Sequence, residues 1–212
     1  MYARRHELLP CAAAGLLCDM TPQLDEVSPR WCQRLISELN AADVRATALA
    51  KTLTPRQLNW APSPGAWSVG QCLEHLYVTN EVYLAPMSTA LDGRQHSVVQ
   101  DIAPGWLGRW FIRNYIEPSS KMKQVRAPRK IRPGAQIEQS ILDRFLDSNQ
   151  RARELVQRAG NYDVNRIRFR NPFVPVIRFT VGTGLEIISK HHRRHLLQAE
   201  RIRDSSEFPQ LY

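Results

Sequence analysis

Four stretches of this 212-residue chain repeat apolar residues at helical spacing, and no convincing alternating strand run stands beside them. That pattern commits the chain to helices packed on one another. The first stretch covers 28–53, with Ser28 before Pro29 as its start signal and Leu35, Leu39, Ala42, Ala46 and Leu49 along one face. Thr54-Pro55 closes it, and Pro62, Pro64 and Gly65 mark 58–66 as a loop. The second covers 69–91, after the N-cap residue Ser68 and before Asp92-Gly93. Pro86 inside it predicts a kink or an early end to the regular part. The third covers 135–159, with Ile137, Ile141, Phe145, Ala152, Leu155 and Val156 buried and Gly160 as its stop. The fourth covers 181–203.

The fold class this predicts is all-α: a four-helix bundle with long loops between helices 2 and 3 and between helices 3 and 4. The first of these loops, 94–133, holds an aromatic segment, 106–116, read as a connecting helix. The second is broken by Asn171-Pro172 and Pro175 and reads as loop throughout. Connections of that length permit crossovers, so an up-down-up-down order is not required.

Length and composition narrow the function classes. A chain of this size buries a sizeable core without disulfides or metal to hold it. No run of about 18 apolar residues is present, so no transmembrane segment is expected. Cys11, Cys18, Cys32 and Cys72 form no CxxC pair and no zinc-ribbon spacing, which fits a reduced, cytoplasmic setting. Residues 1–27 are expected to be an N-terminal tail outside the fold. Arg4, Arg5 and the apolar run from Leu8 to Cys18 imitate a secretory signal, but Pro10 interrupts it. A weak signal, a disordered tail and a start at Met20 all fit. The bundle is expected over 28–204, followed by a C-terminal tail, 205–212.

Six histidines are present, three of them at core-facing positions of helices. On the fourth helix the apolar stripe is Ile187, Ile188, Ala199 and Ile202, and His191 and His195 fall in its middle, about 40° apart. His192 lies at the stripe's edge, while Lys190, Arg193, Arg194 and Glu200 fall outside it. On the second helix His75 lies among Cys72, Val78, Thr79 and Val82. Two imidazoles at i, i+4 and a third on a facing helix form a set that one divalent ion would satisfy. Three protein ligands leave positions open for water or substrate, the pattern of catalytic rather than structural sites. The metalloprotease motif HExxH is absent, because His192 follows His191 where that motif has its glutamate.

Around these histidines the chain resembles the DinB/YfiT-like superfamily. The match is Trp67-Ser68 followed by His75-Leu76, then His191 and His195 continuing into Leu196 and Gln198, with Trp60, Pro62, Pro64 and Gly65 leading into Trp67. The likeness spans about 28–204. It implies a four-helix bundle holding zinc, nickel or iron on His75, His191 and His195, and a homodimer, as many members form. Characterised relatives include thiol-dependent S-transferases, a maleylpyruvate isomerase and the iron-binding half of sulfoxide synthases, while others are described as metal-dependent hydrolases. The resemblance therefore implies a small-molecule substrate and, for some relatives, a low-molecular-weight thiol.

Other residues are weighed beside this set. Gln198, one turn after His195, is a candidate to orient a ligand ring. Cys72, one turn before His75, is a further candidate beside the ligands, or a small core residue. Trp67 is expected as an apolar anchor at the entry to helix 2 rather than as a wall of the site. The net charge is +9, and Lys121, Lys123, Arg126, Arg129, Lys130 and Arg132 cluster in one loop. That loop is solvated, binds nucleic-acid phosphates, or grips the carboxylates of a low-molecular-weight thiol or other anionic substrate. Arg166, Arg168 and Arg170 beside Phe169 and Phe173 suit single-strand binding, but no nucleic-acid motif accompanies them, so nucleic acid is not an expected partner. The first reading is thus a metal-dependent enzyme that activates a thiol or water. The second is a non-catalytic module whose basic loops engage an anionic partner.

Overall fold

Helix starts follow from side chains that can take up the orphan N–H groups of a first turn. Ser68 accepts from Gln71 N at 3.1 Å while Gln71 Oε1 accepts from Ser68 N at 3.0 Å, a reciprocal box that starts the second long helix where expected. Thr54 and Gln57 form the same box. Thr54-Pro55 therefore opens a short helix, correcting its reading as a closure. Thr180 accepts from Thr183 N at 3.1 Å and starts the last helix. The first helix departs from expectation, because Pro29 stands at its cap position and Ser28 makes no cap bond.

The structure is a computed structural model that describes residues 28–117 and 127–210. Its helices are α1 (Arg30–Ala50), α2 (Pro55–Asn59), α3 (Val69–Leu91), α4 (Trp106–Phe111), α5 (Ile141–Ala159) and α6 (Val181–Arg203). α4 runs into a π-helical turn, Ile112–Ile116, and a 3-10 turn spans Arg129–Ile131. Pro86 does not end α3, which continues to Leu91. The third long helix starts at Ile141 rather than 135. Asn59 holds the backbone of Ile137 from both sides, donating to its carbonyl at 2.9 Å and accepting from its N–H at 2.7 Å. Those peptide groups are thereby withdrawn from helical pairing.

The connection read as loop after α5 contains a hairpin, β1 (Arg168–Arg170) antiparallel to β2 (Arg178–Thr180), with Phe169 opposite Phe179. Residues 205–210 also differ from a free tail. Phe208 is buried edge-on against Trp60 at 5.5 Å, and Gln57 Nε2 donates to the Pro209 carbonyl at 2.8 Å. The readings of 1–27 and of Lys121, Lys123 and Arg126 lie outside the described residues. Among those described, no helix is long and apolar enough to cross a membrane.

The four long helices form the bundle. α1 and α3 each pack on α5 and α6, so the first two long helices stand diagonally across from one another. Two apolar clusters fill the interior. One gathers Leu35, Tyr83, Met87, Val156, Phe169 and Ile187, and the other Leu49, Leu73, Leu76, Phe145, Leu196 and Ala199. Between them lies a buried polar belt of His75, Thr79 and Asn80 on α3, Ser148 and Asn149 on α5, and His191, His192 and His195 on α6.

Gly184 lets α6 approach α3 and the hairpin. A Cβ there would lie 2.8 Å from the Phe169 ring and would also meet Met87 Sδ. The Gly184→Ala variant is expected to lose about 1–3 kcal/mol of stability through overpacking, despite alanine's better helix propensity, and its urea midpoint measures this.

Candidate metal centre

α3 and α6 bring together the three histidines that the helical wheels turned inward. One ring nitrogen from each of His75, His191 and His195 lies within 4.8 Å of the other two, and all three side chains are buried. His75 Nε2 and His191 Nε2 are 3.1 Å apart. The ring centroids of His75, His191 and His195 are 4.6–4.8 Å from one another.

Two of the rings have their tautomers fixed by acceptors outside the cluster. His75 Nδ1–H donates to the Ile131 carbonyl at 2.6 Å. His195 Nδ1–H donates to Gln198 Oε1 at 2.9 Å, which is where the sequence placed Gln198. In both rings Nε2 is left with its lone pair. His191 Nδ1 is buried and has no hydrogen-bond partner.

Electrostatics keep the cluster neutral. Burial pushes the His75 imidazole down to about 4, against the opposing Ile131 hydrogen bond and helped by the Arg194 charge. Burial also holds His191 and His195 well below the usual imidazole range, with repulsion from neighbouring rings and Arg194 adding to it. His75 Nε2, left as an acceptor, takes a hydrogen bond from the Nε2–H tautomer of His191 at 3.1 Å, and a cation that accepts imidazole nitrogen would stand in place of that proton. The donor set therefore fits a divalent ion that accepts imidazole nitrogen.

His192 turns away from this cluster. Its Nε2–H donates to Asn80 Oδ1 at 3.0 Å, and Asn80 Nδ2 passes the chain on to Ser148 Oγ at 3.0 Å. Its ring packs edge-on against Phe145 at 5.3 Å. Burial lowers its pKa to about 3. Cys72 is fully buried in the apolar cluster with Leu73 and Leu76, and burial raises its thiol pKa, which leaves little reactive thiolate.

Two participants escaped sequence reading, the Ile131 carbonyl and Arg194, and a third, Trp67, was expected to pack rather than to wall the site. Trp67 lies against both His75 and His195, at 4.8 and 5.5 Å between centroids, so it walls the cluster as well as packing α3's entry. Its place one residue before the helix cap was a usable signal. The Ile131 acceptor is a backbone atom and leaves no trace in sequence. Arg194, read as off the apolar stripe, is half-buried, donates to the Tyr115 carbonyl at 2.7 Å and contributes positive potential at all three rings.

No curated protein matches the chain. Among solved structures, YfiT from Bacillus subtilis, described as "a probable metal-dependent hydrolase with an unusual four-helix bundle topology", shares the fold. The similarity has a TM-score of 0.54 at 14% sequence identity and covers 84% of this chain and 89% of that one. The model of the DinB superfamily matches residues 38–199, from within α1 to the last turns of α6 with all three converging histidines inside. By that match the chain belongs to the DinB superfamily.

Proposed function

We propose that this protein is a metal-dependent enzyme in which His75, His191 and His195 hold one divalent ion, zinc, nickel or iron. Its reaction would be hydrolysis of an electrophilic small molecule, or transfer of a low-molecular-weight thiol onto one. The observation that carries the reading is the convergence of three buried, neutral imidazoles from two helices. A divalent ion there would supply Lewis acidity and lower the pKa of a water or thiol bound beside the histidines.

The chain's own groups have separable roles. The Ile131 carbonyl and Gln198 hold two rings in the tautomer and orientation that present Nε2. Trp67 covers His75 and His195 and keeps water from that side. Arg194 offers a fixed positive charge next to the cluster, suited to a carboxylate or to negative charge developing on a substrate. Hydrolysis stands first because YfiT, which shares the fold, carries that description. The proposal extends to a homodimer and to a cytoplasmic setting, the latter in keeping with Cys32 and Cys72, which are free and buried.

Elemental analysis of the untagged full chain tests this directly. About one divalent ion per chain is expected, as a three-histidine site requires, and His75→Ala or His191→Ala should abolish it. Absence of bound metal after incubation with zinc, nickel or ferrous iron would falsify the assignment. Gln198→Leu should weaken metal affinity by roughly 10–100-fold while the fold persists, read by competition with a chromogenic chelator.

A further inference from the structure

Residues 168–178 read Arg-Phe-Arg-Asn-Pro-Phe-Val-Pro-Val-Ile-Arg, and the hairpin sorts them by face. Phe169 and Phe179 point into the bundle, while Arg168, Arg170 and Arg178 point out and are exposed. The register sets Arg170 directly opposite Arg178, a like-charge pair that costs stability in isolation. None of the three arginines has an ion-pair partner among the described residues. The neighbouring Arg166, by contrast, is paired with Asp163 at 3.3 Å.

The hairpin tip is apolar and uncovered. Val176 is 90% exposed and Val174 43%, with Pro175 between them. The base of the tip is firmly held. Asn171 Oδ1 accepts from Phe173 N at 2.8 Å and Val174 N at 2.9 Å, and Phe173 packs on Tyr83 at 5.8 Å. Lys130 Nζ donates to the Pro172 carbonyl at 3.3 Å, which brings a further positive charge to the tip. α4 adjoins the hairpin through Phe111 and Phe179, 5.2 Å apart, and exposes Trp106 and Trp110.

We propose that this hairpin docks the protein on a membrane surface containing anionic lipids. Unpaired arginines on a rigid ribbon suit headgroup phosphates, an aliphatic tip suits the acyl boundary, and exposed tryptophans suit the interface between them. Single-stranded nucleic acid fits less well, because it needs aromatic faces for its bases. Here Phe169 and Phe179 are buried, Phe173 is engaged by Tyr83, and the exposed tip residues are valines; the exposed aromatics, Trp106 and Trp110, lie on α4 and are not interleaved with the hairpin arginines.

The test is co-sedimentation of the full chain with vesicles of phosphatidylcholine alone and of an equimolar phosphatidylcholine–phosphatidylglycerol mixture. Binding to the mixed vesicles alone is expected. The combined Arg168→Gln, Arg170→Gln, Arg178→Gln variant should lower partitioning roughly a hundredfold, at the usual contribution of a basic residue near an anionic surface. Val176→Ser should lower it about tenfold through lost apolar burial. Both variants change exposed side chains, and unchanged far-UV circular dichroism and metal content verify that they fold. No vesicle binding, equal binding to neutral vesicles, binding that either variant retains in full, or self-association lost in Val176→Ser without vesicle binding overturns the proposal. So does tighter binding to a single-stranded oligonucleotide than to the mixed vesicles.

Discussion

The belt of polar side chains across the middle of the bundle constrains everything around it. Eight such residues on α3, α5 and α6 are withdrawn from water between two apolar clusters. Buried polar groups without partners are costly, so the belt must close on itself. Most of it does so across helices: Asn80 reaches Ser148, His192 reaches Asn80, and Asn149 Nδ2 reaches the Leu39 carbonyl of α1 at 3.0 Å, while Asn149 Oδ1 and the Nδ1 atoms of His191 and His192 have no partner among the described residues. A helix slid along its axis by one turn would put imidazoles against leucines and leave these groups unpaired. The belt therefore fixes the helix register that a purely apolar core would specify weakly.

Two neighbouring histidines show how the belt divides its work. Successive helical residues point about 100° apart, so His191 and His192 cannot face the same helix. His191 faces His75 on α3, and His192 packs on Phe145 of α5 while bonding Asn80. One is available to an ion, and the other is saturated on one nitrogen and walled in on its ring face. A double histidine that looks redundant in sequence thus serves two interfaces.

The arginines divide in a similar way. Those on the long helices cross-brace neighbours: Arg45 bonds Glu200 between α1 and α6, Arg153 bonds Asp43 between α5 and α1, and Arg151 bonds Glu81 between α5 and α3. The exposed Arg151–Glu81 pair adds little stability, typically under about 1 kcal/mol, while the Arg153–Asp43 pair is more withdrawn from solvent, and all three set which faces meet. The hairpin arginines have no such carboxylates among the described residues. The chain's basic excess is therefore not spread evenly, and among the described residues it is unneutralised on β1 and β2.

Much of this was legible from residues 69–91 and 181–203, because long amphipathic helices declare themselves through periodicity and caps. Ser68 and the positions of His75, His191 and His195 on their wheels were enough to place three imidazoles on facing surfaces. The remainder depended on contacts between residues far apart in sequence. Nothing local says that Asn59 will capture the Ile137 backbone and delay α5, whereas the alternation Arg166-Ile167-Arg168-Phe169-Arg170 was a usable signal for β1 that the reading as loop passed over. Trp67 was visible as an anchor, but its contact with two rings depends on α6 arriving beside α3.

The turn Arg129–Ile131 shows what sequence reading misses when a backbone atom acts. Lys130 and Ile131 are consecutive, yet Lys130 holds the hairpin at Pro172 and the Ile131 carbonyl holds His75. Substituting the side chain at 131 cannot delete that acceptor, whereas moving the turn can. The turn is kept in place by the buried Ile131 side chain on one side and by the Lys130 bond on the other. The orientation of His75 is thus coupled to the hairpin through two adjacent residues. A stretch that composition reads only as a basic loop is, at its C-terminal end, part of the architecture of the histidine cluster.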